Sequence, residues 1–156
     1  MTVFFTDLDR TLIYSADALD LRAQDHDAQF VCVETYNDRP ASFVTEAASR
    51  GIRRLLEANL LVPVTTRSVD QYRRVSLPGP SPRLALVANG GLLLRDGKVD
   101  EDYRRATTAQ LDRSTPLDVV FAHLESVADP RFTVSVRAVE DLFCYAVVDM
   151  GAVPTG

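Results

Sequence analysis

Short apolar runs that give way to polar, turn-forming residues recur along the chain, and their lengths and periods predict its elements. Val3-Phe4-Phe5 leads into Asp7-Leu8-Asp9-Arg10-Thr11-Leu12. This pattern predicts a buried parallel strand with polar side chains at its carboxyl end, the edge at which open α/β sheets bind ligands. Phe30–Tyr36 and Ala41–Val44 flank the turn-forming Asn37-Asp38-Arg39-Pro40, a β-hairpin expected to project over the sheet. Between Thr45 and Asn59, the apolar residues Ala48, Ile52, Leu55 and Leu56 recur at helical spacing, with Thr45 able to cap the start and Asn59 to close the end. Leu60–Val64 reads as a second buried strand, ending in Thr65-Thr66-Arg67-Ser68 before a polar helical stretch from Val69 to Val75. The β, α, β order implies a right-handed parallel crossover.

After the loop Pro78-Gly79-Pro80-Ser81-Pro82, Leu84–Ala88 is a third strand and Asn89-Gly90-Gly91 a turn. Leu92–Arg95, the turn Asp96-Gly97 and Lys98-Val99 add a hairpin. The organisation changes after about Tyr103, where a helix from Pro116 to Val127 precedes the strands Phe132–Val136 and Leu142–Val148, joined by a turn near Glu140-Asp141. The expected fold is therefore α/β, with a core over residues 1–103 and a different α/β packing over residues 104–156.

Composition narrows the function. With 156 residues, 46% hydrophobic and 25% charged, the chain can bury one ordinary core, or one core and part of a second, and global disorder is excluded. A net charge of -5 argues against a general affinity for nucleic acid or anionic membranes. The N-terminal segment has neither a basic leader nor a long apolar run, and no later stretch is long enough to span a bilayer, so a cytoplasmic location is expected. Cys32 and Cys144 lack the spacing of a zinc site and read as reduced core thiols.

Candidate chemistry begins at Asp7 and Asp9. Two carboxylates one residue apart at a strand end could divide the work of phosphate ester cleavage, Asp7 attacking phosphorus and Asp9 protonating the leaving alkoxide, then deprotonating water. A hard divalent cation would offset the repulsion between an anionic nucleophile and an anionic substrate. Thr11 would orient the loop through its hydroxyl. The same spacing also suits turn and cap aspartates on an exposed loop.

Phe4-Phe5-Thr6-Asp7-Leu8-Asp9-Arg10-Thr11-Leu12 resembles the first motif of the haloacid dehalogenase superfamily, an apolar strand followed by Asp-x-Asp-x-Thr-Leu. Arg10 departs from it, since that position is commonly Gly. Leu61-Val62-Pro63-Val64-Thr65-Thr66-Arg67 resembles the second motif, with Thr65 matching the phosphate-binding hydroxyl and Arg67 matching the Arg of the Thr-Gly-Arg version found in members with a large cap. Val87-Ala88-Asn89-Gly90-Gly91 resembles the Asn-Gly turn of that subgroup, which includes sucrose-phosphate and mannosylglycerate-phosphate phosphatases. The resemblance implies a Rossmann-like core with the opening of an α+β cap, and Asp7 and Asp9 as catalytic residues that also ligate Mg²⁺. It further implies a substrate site drawn from Thr11, Thr65, Thr66, Arg67 and Asn89, and a small phosphorylated metabolite, such as a sugar phosphate, as partner.

The superfamily's third motif supplies a Lys and its fourth supplies further acids. Nothing after Asp102 resembles either, and the one lysine, Lys98, falls in a hairpin turn. The sequence thus reads as the N-terminal portion of a longer phosphatase, expected to self-associate or to pair with a C-terminal half. A catalytically incompetent fragment or binding module with a residual metal or phosphate site, and a phosphotransferase or mutase using the same aspartate, are the alternatives.

Overall fold

The computed structural model describes residues 2–19 and 28–154. Over these residues the chain is a mixed α/β protein that divides into two compact units, Met1–Glu101 and Asp102–Gly156. In chain order the first unit comprises β1 (Phe4–Asp7), β2 (Phe30–Tyr36), β3 (Arg39–Thr45), α1 (Glu46–Glu57), β4 (Leu61–Val64), α2 (Val69–Arg73), β5 (Leu84–Val87), β6 (Leu92–Arg95) and β7 (Lys98–Val99). Five strands form a sheet in the order β1-β4-β5-β6-β7. β1, β4 and β5 run parallel, β6 pairs antiparallel with β5 and β7 antiparallel with β6, so the sheet is mixed. Parallel pairing of β1 with β4 brings the carboxyl ends of both strands, Asp7 and Val64, side by side.

Local chemistry sets the connections. Thr45 caps α1 by accepting from the Ala48 N–H at 3.1 Å. The helix ends in a Schellman motif: Asn59 is left-handed at φ 53°, its N–H reaches the Leu56 carbonyl, and the Leu60 N–H reaches that of Leu55. The buried face of α1 consists of Ser49, Ile52 and Leu56, with Leu55 half-buried, while Ala48 is exposed. The predicted stripe is thus corrected at its first position, where the small Ser49 takes the inward place.

The hairpin β2–β3 turns on Asn37 and Asp38 alone, both at positive φ (49° and 58°), with Arg39 and Pro40 already in β3. Its inner residues Val33 and Val44 share one apolar cluster with Leu8, Ile13, Ile52, Leu56 and Leu61. The loop after β1, the hairpin, α1 and β4 therefore share one core. Cys32 is exposed rather than buried, because the hairpin's inward face passes to Val33 and Glu34, and its thiol donates to the Glu34 carbonyl at 3.2 Å.

The second unit holds α3 (Glu101–Leu111), which begins at the boundary, α4 (Leu117–Val127), β8 (Thr133–Val139) and β9 (Phe143–Val148). The strands pair antiparallel around the positive-φ turn Glu140-Asp141, and α4 packs against both. No described helix is long and apolar enough to cross a membrane.

Candidate active site

The segments that directly follow β1, β4 and β5 meet beyond the carboxyl ends of those strands. After β1 the chain closes tightly on itself: the N–H groups of Leu12 and Ile13 both reach the Leu8 carbonyl at 2.9 Å, and Leu8 and Ile13 are fully buried. That closure leaves Asp7 and Asp9 exposed on either side of the buried Leu8. Thr11 donates its hydroxyl proton to Asp7 Oδ2 at 3.0 Å. Beyond β4, the buried Thr65 Oγ1 accepts from the Arg67 N–H at 3.2 Å, which fixes the turn and leaves the hydroxyl proton to be donated elsewhere. Beyond β5, Ala88, Asn89 and Gly90 are all left-handed (φ 51°, 57° and 82°). The Ala88 and Asn89 N–H groups bind the carbonyls of Arg67 and Thr65 at 2.7 and 3.0 Å, tying this turn to the end of β4.

Asp7, Thr65, Thr66 and Asn89, together with Phe5, Thr6 and Val64, line a cavity of about 360 Å³. Three of the expected site residues do not line it: Thr11 reaches it only through its bond to Asp7, and Asp9 and Arg67 are turned elsewhere. Asp9 and Arg67 face each other, Arg67 Nε donating to Asp9 Oδ2 at 2.8 Å and Nη2 to Oδ1 at 2.7 Å. Both oxygens of Asp9 are thereby engaged in a bidentate pair.

Arg67 has a second carboxylate partner that sequence reading missed. Its Nη1 and Nη2 donate to Glu34 Oε1 and Oε2 at 2.9 and 3.0 Å. Glu34 also accepts from the Ser42 hydroxyl at 2.7 Å and from Arg74 Nε at 3.3 Å, and the Arg74 guanidinium lies 4.6 Å from the centre of the Tyr36 ring. Burial raises the Glu34 pKa, but the hydrogen bonds from Arg67, Ser42 and Arg74 outweigh it and hold the carboxyl below the usual glutamate value of 4.5. Burial likewise opposes charge on Arg67, and its bonds to Asp9 and Glu34 more than compensate, raising it above the ordinary arginine value. Glu34 reaches this position through a β-bulge: Cys32 faces Phe43 and Glu34 faces Ser42, so Val33 is the extra residue and consecutive side chains, Val33 and Glu34, both turn inward. The signal available in the sequence was a lone acid in the otherwise uncharged run Phe30 to Tyr36.

No protein-family model matches the chain, and no curated protein matches it. Among the described residues, no group of three or more His, Cys, Asp or Glu side chains is placed to hold a metal ion. Asp7 suits a hard cation as an exposed oxygen donor on the cavity wall, whereas Asp9 would have to part from Arg67 to offer one.

Proposed function

We propose that the first unit is a Rossmann-like core of the haloacid dehalogenase kind, carrying the nucleophile of a Mg²⁺-dependent phosphate monoester hydrolase. The second unit would be the opening of its cap, and the substrate a small phosphorylated metabolite such as a sugar phosphate. The observation that carries this reading is the common cavity wall of Asp7, Thr65, Thr66 and Asn89, which gathers a carboxylate, two hydroxyls and an amide beyond the carboxyl ends of the parallel strands β1, β4 and β5. An Asp7 oxygen would attack phosphorus while the bond to the ester oxygen breaks, and Thr65 and Thr66 would donate to the phosphoryl oxygens. Asp9 would deliver a proton to the leaving alkoxide once Arg67 frees one of its oxygens, and would later take a proton from the water that hydrolyses the aspartyl phosphate. Mg²⁺, when bound, would supply positive charge between nucleophile and phosphate, with Asp7 the residue best exposed to hold it.

The deciding experiment is hydrolysis of an aryl phosphate by the chain with and without Mg²⁺, with hydroxylamine trapping of the acyl phosphate. Wild type should give a trapped adduct at Asp7 and turn over, slowly because the third-motif Lys and fourth-motif acids are missing from this sequence, and Asp7→Asn should do neither. Thr65→Ala should weaken transition-state binding by about 1 to 3 kcal/mol, the range for a hydrogen bond to a charged group. Turnover retained in Asp7→Asn would sink the covalent mechanism.

A binding module is the second reading, favoured by the complete engagement of Asp9 by Arg67. It predicts phosphate binding at the cavity with no turnover in the same assay.

A further inference from the structure

We propose that Glu34 is a positioning residue for Asp9, acting through Arg67. A guanidinium is planar and offers its donors along fixed edges, so an anchor on one edge determines where the next one points. Glu34 takes the edge formed by Nη1 and Nη2, and Asp9 the edge formed by Nε and Nη2. The two ends of this bridge differ in how firmly they are held. The Glu34 side chain is 4% exposed and is independently fixed by Ser42 and Arg74, whereas the Asp9 side chain is 47% exposed on the loop that follows β1. Orientation therefore passes from the buried end to the exposed one.

Charge points the same way. Arg67 and Arg74 both approach Glu34 Oε1, so removing this carboxylate's charge leaves two guanidinium groups facing each other across a neutral group. Arg67 would then retain Asp9 as its only anionic partner among these residues, with nothing anionic to hold its other edge. Stability alone is a weak reason for such an arrangement, since a buried ion network is often no more stabilising than apolar side chains of the same volume. A defined orientation for Arg67 and Asp9 is what an apolar replacement would lack.

The consequence for turnover rests on the phosphatase reading, but the positioning itself does not, and the test separates the two. In full-length Glu34→Gln, the Arg67 Nε–H resonance, assigned by its loss in Arg67→Lys, is followed by NMR together with its exchange with water. Exchange should speed at least tenfold toward the value in Asp9→Asn, and Mg²⁺-dependent hydrolysis of p-nitrophenyl phosphate should lose about tenfold in kcat with KM within threefold. Should Glu34→Gln fail to fold, Ser42→Ala, which removes one anchor of Glu34 and no charge, should speed the exchange in the same direction by a smaller factor. An Arg67 resonance and exchange rate unchanged in a folded variant, even with a lowered Tm, would overturn the proposal. Absence of Mg²⁺-dependent turnover in wild type would count against the phosphatase reading alone, and the resonance would still decide the role of Glu34.

Discussion

Arg10 adopts a left-handed backbone, φ 59°, directly after Asp9, and its N–H closes the loop onto the Ile13 carbonyl at 2.8 Å. For a residue with a Cβ this conformation costs roughly 1 to 2 kcal/mol, and glycine adopts it freely. The departure from the Gly common at this place in the resembling motif thus leaves the loop geometry attainable at a local energetic cost. Arg10→Gly should raise stability by about 1 kcal/mol or somewhat less, because relief of backbone strain is partly offset by the greater freedom of glycine in the unfolded chain. Urea denaturation of both proteins checks this, and a destabilised Arg10→Gly would mean that the Arg10 side chain makes a contact worth more than the strain. Ala88 is a second such residue, at φ 51° and 1% exposure, held by its hydrogen bond to the Arg67 carbonyl.

The hairpin β2–β3 carries a pH dependence into the fold. The folded pKa of Glu34 lies below its unfolded value, so the unfolded chain binds this proton first as pH falls. The stabilisation is complete above about pH 4.5 and is lost as pH drops from there through the folded value. Wild type should therefore lose Tm more steeply than Glu34→Gln on acidification below about pH 4.5, the two curves converging. Parallel curves in paired thermal melts would remove Glu34 from the linkage. This hairpin also marks where legibility in the sequence stops. The polar carboxyl end of β1, Thr65 after β4 and the turn after β5 announced themselves through local signals: apolar runs that end in polar residues, and Asn-Gly at positive φ. Glu34 did not, because strict alternation assumes a strand without bulges, and the bulge at Val33 turns an outward position inward. Neither did its pairing with Arg67, 33 positions away, since nothing local to either residue specifies the other. Helix α3 escaped for a different reason: of its residues only Tyr103 and Leu111 are large and apolar, so it lacks the apolar stripe by which a helix is recognised.

At the scale of the molecule, β1, expected as a buried strand, is largely exposed. Among the described residues it pairs only with β4, so its other edge presents backbone groups without a strand partner, and Val3, Phe4 and Phe5 are 39%, 49% and 66% exposed. An uncovered strand edge flanked by large apolar side chains is a template for pairing with another chain. The second unit also exposes apolar residues, Val134 at 66% among them, but Val134 lies on a strand whose register with β9 is already irregular between Thr133 and Ser135. Irregular edges pair less readily than flat ones, so β1 is the stronger site for self-association. Phe4→Lys separates the two without touching the cavity, because Phe5 lines it beside Asp7 and Phe4 does not. In sedimentation velocity over a concentration series, wild type should show mass rising with concentration, Phe4→Lys should sediment nearer the monomer of 17.2 kDa, and Val134→Lys should resemble wild type. A lysine on an exposed edge both removes apolar area and adds like-charge repulsion between approaching copies, so an effect confined to Val134→Lys would move the association surface to the second unit.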